Sequence, residues 1–291
     1  MILVVGATGQ LGGLIAHRLL ERGEPVRILT RAGSSFDALA APGAQTVTGD
    51  LKDRGSLEEA CSGVGAVITT ANSAARGGED NVETVDRGGN RNLVEAAARA
   101  GVRRFVFTSA LGADPDSPVP FLRAKGETEA LVRGSGMAWT VLSPNVFMDV
   151  WVPAVVGGPA LAGQPVTLVG SASRRHSFVA VPDVVAYAVT AVERPEAEGQ
   201  TLVIGGAAPV SWREVVAEFE VQLDRELPVR TVEAGAPVPG LPEMMSQLLA
   251  AQDTYDSPID MTGLAAAYGV PPTPLSDFVR GFLAANPRPA P

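Results

Sequence analysis

Three glycines at a spacing of three, Gly6, Gly9 and Gly12, follow directly on the apolar run Ile2-Leu-Val-Val5. A backbone stripped of Cβ atoms at that rhythm, between a strand and a helix, is suited to holding phosphate. Gly6 lets the chain turn sharply off the strand, Gly9 admits a pyrophosphate to the backbone, and Gly12 lets the next helix pack closely on the sheet. Thr8, Gln10 and Leu11 complete the loop, and a helix expected over residues 10–22 aims unpaired N–H groups and its positive dipole end at the same point. The two-and-two spacing differs from the commoner G-x-G-x-x-G and is a weak signal alone. Its context, with a second strand expected at Val26–Thr30, makes it the turn of a βαβ unit.

That second strand ends Leu29-Thr30-Arg31, where an NAD site carries Asp or Glu for the ribose 2′-hydroxyl. A guanidinium there suits a 2′-phosphate, whose oxygens match its planar fork, and Ser34 and Ser35 add hydroxyl donors. The expected cofactor is therefore NADP(H) rather than NAD(H); the competing reading makes Arg31 a solvated loop charge.

The elements that must position these groups are legible as alternating strands and helices. Strands are expected at residues 45–49, 66–70, 104–109 and 139–143, with helices at 56–62, 90–100 and 127–134 between them. Together with the first two strands this gives a Rossmann-type, doubly wound parallel sheet of the α/β class, covered on both faces, whose ligands sit beyond the strands' carboxyl ends. Past Pro144 the periodicity loosens. A helix at 184–192, a strand at 201–204, a capping box at Ser211 and Glu214, and helical stretches at 241–252, 261–268 and 276–285 indicate a smaller C-terminal substrate lobe. The expected division is a nucleotide-binding core of residues 1–150, rejoined by 178–206, and a lobe of 151–177 and 207–291.

Composition narrows the function. The chain has 291 residues, 46 % hydrophobic, with a net charge of −9. An acidic surface argues against nucleic acid or an anionic membrane as partner, and no apolar run is long enough for a membrane span. The N-terminal apolar stretch lacks a basic lead or cleavage site, so the mature chain is expected to start at the fold. The single cysteine, Cys61, allows no internal disulfide and fits a reducing cytoplasm, as a small helix-packing residue rather than a nucleophile. No His, Cys, Asp and Glu cluster has metal-ligand spacing, so no metal is expected. Whether the protein is a monomer or a homodimer stays open.

Gly6-Ala-Thr-Gly-Gln-Leu-Gly12, Gly49-Asp50-Leu51, the run from Asp86 to Val102, Phe105-Val-Phe-Thr-Ser-Ala110 and Lys125 occur in order. In these the chain resembles the atypical short-chain dehydrogenase/reductases, and within them the NmrA-like branch of quinone reductases, dye reductases and redox-sensing regulators. The resemblance covers roughly residues 1 to 205. It implies a Rossmann core with NADP, adenine contacts near Asp50 and Leu51, and ribose or nicotinamide contacts from Thr69, Thr70, Ala71 and Asn72, from Lys125, and from Pro144, Asn145 and Phe147.

One departure governs the chemistry. Where typical relatives carry Tyr-x-x-x-Lys, this chain reads Phe121-Leu-Arg-Ala-Lys125, so the phenolic acid is gone. Lys125 is one of only two lysines, the other being Lys52, in a chain that otherwise uses arginine. Its expected role is to hydrogen-bond the nicotinamide ribose, with service as a general acid as the alternative. Hydride transfer without a strong acid suits acceptors that are already electron-poor: quinones, enones and conjugated or cationic aromatics. The expected substrate pocket draws on Ser109, Ala110, Leu111 and Phe121, on Phe147, Met148 and Trp151 as an aromatic-friendly wall, and on Arg174, Arg175 and His176. Ser109 and His176 join Lys125 as candidate catalytic groups. Phe147, Met148 and Trp151 read equally well as core, and His176 as a hydrogen-bonding surface residue. The competing functions are a non-catalytic NADP(H) sensor and a non-redox biosynthetic enzyme.

Overall fold

In the computed structural model, which describes residues 1–33, 43–74 and 77–287, strand β1 (Ile2–Val5) is buried along its whole length. A strand buried on both faces must be apolar at every position, which is why this run does not alternate. The chain turns at Gly6 into α1 (Gln10–Glu21), then forms β2 (Val26–Thr30), β3 (Gln45–Thr48), α2 (Arg54–Cys61) and β4 (Ala66–Thr69). A π-helical stretch, Val82–Gly89, runs into α3 (Asn90–Arg99), followed by β5 (Arg104–Thr108), α4 (Pro120–Gly134) and β6 (Ala138–Pro144). Then come α5 (Met148–Val152), α6 (Gly158–Leu161), β7 (Val166–Val169), α7 (Val181–Glu193) and β8 (Gln200–Ile204). The chain closes with α8 (Trp212–Leu223), β9 (Val229–Val232), α9 (Glu243–Gln252), α10 (Thr262–Tyr268) and α11 (Leu275–Ala285).

The chain forms two compact units, Met1–Pro144 with Val184–Val203, and Asn145–Asp183 with Ile204–Pro291. The sheet runs β3-β2-β1-β4-β5-β6-β8. All five pairings from β3 to β6 are parallel, with Ile2 facing Val26 on one side and Ala66 on the other. The strand order reverses between β1 and β4, so the loops after them part and leave a crevice at their carboxyl ends. Leu3, Val5, Val67, Phe105 and Phe107 point to one face, where they pack with Leu57 of α2, Leu93 of α3 and Val132 of α4. The alternate residues Val4, Ile28, Ile68 and Val106 are equally buried on the other face.

Cys61 is fully buried in α2, and desolvation pushes its thiol up to about 11, so it packs as expected and is not a thiolate. The second unit has its own core, built from Val155, Val156, Phe178, Trp212 and Phe219 among others, and a two-stranded parallel sheet of β7 and β9. Ser211 and Glu214 form the reciprocal cap at the start of α8. Among the described residues no helix is long and apolar enough to cross a membrane.

Candidate active site

The glycine turn has the geometry that its residues imply, with one change of role. Gly6 adopts φ +91°, and a Cβ there would lie 2.6 Å from Thr70 Oγ1. A Cβ on Gly12 would fall 2.3 Å from the Gly6 carbonyl oxygen and 2.7 Å from Thr70 Oγ1. Gly12 therefore lets α1 pack on the turn itself and on the end of β4, rather than on the sheet at large. Gly9 differs: its Cβ would meet only the Gly6 oxygen, at 3.4 Å, so the space before it is open. It is also the N-cap of α1, and no side chain caps that end. Uncapped first-turn amides facing open space fit a pyrophosphate.

A solvent-open groove of about 460 Å³ continues from Gly6 and Thr8 past Arg31 to Asp50, Leu51 and Asn72. Thr70 N donates to the Val5 carbonyl at 2.9 Å and Ala71 N to Thr69 Oγ1 at 3.3 Å, which fixes the far wall of the turn. Asp50 accepts from Lys52 N at 2.8 Å, and the Leu51 side chain is core, with its carbonyl taking Asn92 Nδ2 at 3.0 Å. Arg31 stands at this groove, half exposed, but it is not a solvated charge: it pairs with Asp80. Ser34 and Ser35 lie outside the described residues.

Lys125 lies on α4, 2 % exposed. Its ammonium donates to the Thr108 carbonyl at 2.9 Å and lies 4.9 Å from the Phe107 ring centre and 5.5 Å from that of Phe121. Desolvation lowers its pKa to about 8, against the opposing pull of Asp86 and Glu129. Asp86 is completely buried in the π-helical stretch, with Oδ2 accepting from Ser73 N at 3.0 Å and Ser73 Oγ at 2.5 Å. Asp86 Oδ1, Asn90 Oδ1 and Thr108 Oγ1 are buried with no hydrogen-bond partner among the described residues. Asp86, Asn90 and Glu129 are the groups that residue-by-residue reading missed. Asp86 and Asn90 open the matched run from 86 to 102, but nothing in the spacing says that they turn inward.

Ser109 is 4 % exposed and gives its hydroxyl proton to Glu129 at 2.5 Å, which in turn accepts from Arg133 at 2.6 Å. It is thus engaged as a hydrogen-bond donor. Ala110 and Leu111 are half-buried, and Leu111 N donates to the Pro144 carbonyl at 2.9 Å.

In the second unit several expected site residues have structural work. His176 is 1 % exposed, not on the surface. Its Nδ1 pairs with Ser257 Oγ at 2.7 Å and its Nε2 with the Gln252 carbonyl at 3.1 Å. Burial lowers its pKa, and with both ring nitrogens engaged it serves as an internal strut. Asn145 gives its amide to Ser257 O and Oγ at 3.1 and 3.0 Å. Ser257, which the sequence reading passed over, is the hub of this cluster. Met148 is 2 % exposed and belongs to the core of this unit, with Trp151 packed half-buried against it. Phe147 stays half-buried and bridges to Val179 through its backbone. Arg174 pairs with Asp256 at 3.0 Å and Arg175 with Glu214 at 2.9 Å.

The NAD(P)H-binding family profile matches residues 6–195. An NAD(P)H azoreductase of Xenophilus azovorans is 33 % identical over 80 % of this chain and 76 % of its own length. A (4-alkanoyl-5-oxo-2,5-dihydrofuran-3-yl)methyl phosphate reductase of Streptomyces griseus subsp. griseus is 34 % identical over 81 % of this chain and 77 % of its own. The Citrobacter sp. triphenylmethane reductase complexed with NADP(H) superposes with a TM-score of 0.82 at 23 % identity, covering 97 % of this chain and 100 % of that one, a likeness of fold. The chain belongs to the NAD(P)H-binding family, in the NmrA-like branch of the atypical short-chain dehydrogenase/reductases, and is an NAD(P)H-dependent oxidoreductase.

Proposed function

We propose that this protein uses NADPH in preference to NADH to reduce an electron-poor acceptor, a quinone, an enone or a conjugated aromatic, without a tyrosine acid. The observation that carries this reading is the pair Phe121 and Lys125: a buried lysine stands beside a phenyl ring where a phenol would otherwise supply the proton. Two relatives are named for reducing azo compounds and an acylated oxo-dihydrofuran, both conjugated acceptors, which supports the same class.

Gly6, Gly9 and the first turn of α1 would hold the pyrophosphate, Arg31 the 2′-phosphate, Asp50 and Leu51 the adenosine, and residues 69–71 with Lys125 the nicotinamide ribose. The bound cofactor supplies a hydride. The Lys125 ammonium, which donates to the Thr108 carbonyl, would also donate to the ribose hydroxyls and hold a proton at Nζ, while Phe107 and Phe121 keep water from it. Because the reduced acceptor spreads its negative charge over a conjugated system, its protonation can come from solvent.

Two variants test the reading. Lys125→Met is expected to lower kcat/KM for a quinone by about tenfold or more. In the wild type, turnover should fall as pH rises through about 8, where the ammonium loses its proton, and this limb should vanish in Lys125→Met. Arg31→Ala should weaken NADPH binding about tenfold and leave NADH nearly unchanged. Wild-type turnover in Lys125→Met, or an unaltered cofactor ratio in Arg31→Ala, would remove the corresponding role.

A further inference from the structure

An anion already sits on Arg31. The Asp80 carboxylate lines the groove and holds a cation on each oxygen, Oδ2 accepting from Arg31 Nη1 and Oδ1 from Lys52 Nζ. Its side chain is 12 % exposed, against 44 % for Arg31 and 34 % for Lys52. Asp50 adds a weaker contact, 3.7 Å from Lys52 Nζ, and the hydrogen bond to Asp80 leads the effects that push the lysine's pKa up. Arg31 follows β2 and Lys52 follows β3, so two loops deliver one cation each to the two oxygens of a single carboxylate. Two oxygens of a phosphate would accept the same bonds.

We propose that Asp80 is the resident counter-ion of the 2′-phosphate subsite, and that Arg31 and Lys52 bind the 2′-phosphate of NADPH together once Asp80 has released them. Asp80 and Lys52 are then specificity-determining residues; this rests on the NADPH preference proposed above. A phosphate monoester carries about −1.5 to −2 charge at neutral pH and competes well with a carboxylate monoanion for two cations. The 2′-hydroxyl of NADH carries none and leaves the Asp80 contacts in place. Asp80 therefore opposes NADPH and not NADH, and in the cofactor-free protein it neutralises the cation pair against stray anions.

The probes are 2′,5′-ADP and 5′-AMP, which differ only in the 2′-phosphate, titrated by calorimetry into the full-length wild type and three variants. Asp80→Asn should bind 2′,5′-ADP about three- to tenfold more tightly, and Lys52→Ala about three- to tenfold more weakly, with 5′-AMP within about twofold in both. Asp80→Ala should shift in the same direction as Asp80→Asn. Unchanged or weaker 2′,5′-ADP binding in both Asp80 variants overturns the counter-ion role, since the carboxylate would then be holding the cations in place rather than blocking them. Unchanged binding in Lys52→Ala removes Lys52 from the subsite. The NADPH preference is judged separately by Arg31→Ala: wild-type 2′,5′-ADP affinity there sinks that reading whatever the Asp80 variants do.

Discussion

The burial of the Lys125 ammonium costs stability. Its folded pKa of about 8 lies below the ordinary 10.5, so between those values the unfolded chain binds the proton that the folded chain has lost. Stability should accordingly rise with pH across that window, and below it the full cost of the buried ammonium is present. In the role proposed for Lys125, activity runs the other way, because the protonated form is the one that donates. Thermal melts at pH 8 and pH 10 should show a relative gain for the wild type that Lys125→Met lacks; equal pH dependence in both would mean that the ammonium is not desolvated as the structure has it. At this scale the sequence was informative about Lys125, through its spacing from Phe121 and the rarity of lysine. It was silent about Asp86, which acts on Lys125 from the separate stretch Val82–Gly89, and about Glu129, which stands one turn further along α4 itself.

At the scale of elements, the two inner glycines of the turn separate binding from stability. Gly12→Ala should cost about 1–3 kcal/mol or more, because its Cβ would strike the Gly6 carbonyl, backbone that cannot yield cheaply. Gly9→Ala should cost only a fraction of that, since its Cβ finds room, yet should weaken cofactor binding by filling the cradle. Denaturant unfolding beside cofactor titration would distinguish them, and equal stability losses would contradict the assignment. His176 gives a second test. Its pKa is depressed by burial below the ordinary 6.5, so stability should fall as pH drops through 6.5, a slope that His176→Gln would lessen.

The apolar runs of β1 and β4 were plain in the sequence because they are buried on both faces, and those of β2 and β5 stayed legible despite one half-buried arginine in each, Arg27 and Arg104. The start of α4 was not: Pro120 reads as a breaker but is tolerated in a first turn. The π-helical Val82–Gly89 has no period to detect, and the four-residue β7 and β9 owe their pairing to each other rather than to local propensity.

For the whole molecule, a net charge of −9 sets the terms on which a polyanionic cofactor is held. The binding must come from local cations and helix amides against an unfavourable general field, so NADPH affinity should fall more steeply with added salt than NADH affinity. The first two hundred residues carried the fold in their motifs. The C-terminal unit, whose core forms between short and irregular elements, did not announce which of its polar residues turn inward, and His176 and Asn145 looked available for that reason. The central claim is reduction of an electron-poor acceptor without a phenolic acid. It is tested most directly by following NADPH oxidation by the pure protein with a quinone, a conjugated enone, an azo compound and a cationic triarylmethane dye, beside an unactivated ketone. Turnover with at least one of the conjugated acceptors and none with the ketone is the predicted result; reduction of the ketone alone, or tight NADPH binding with no turnover of any acceptor, would contradict it.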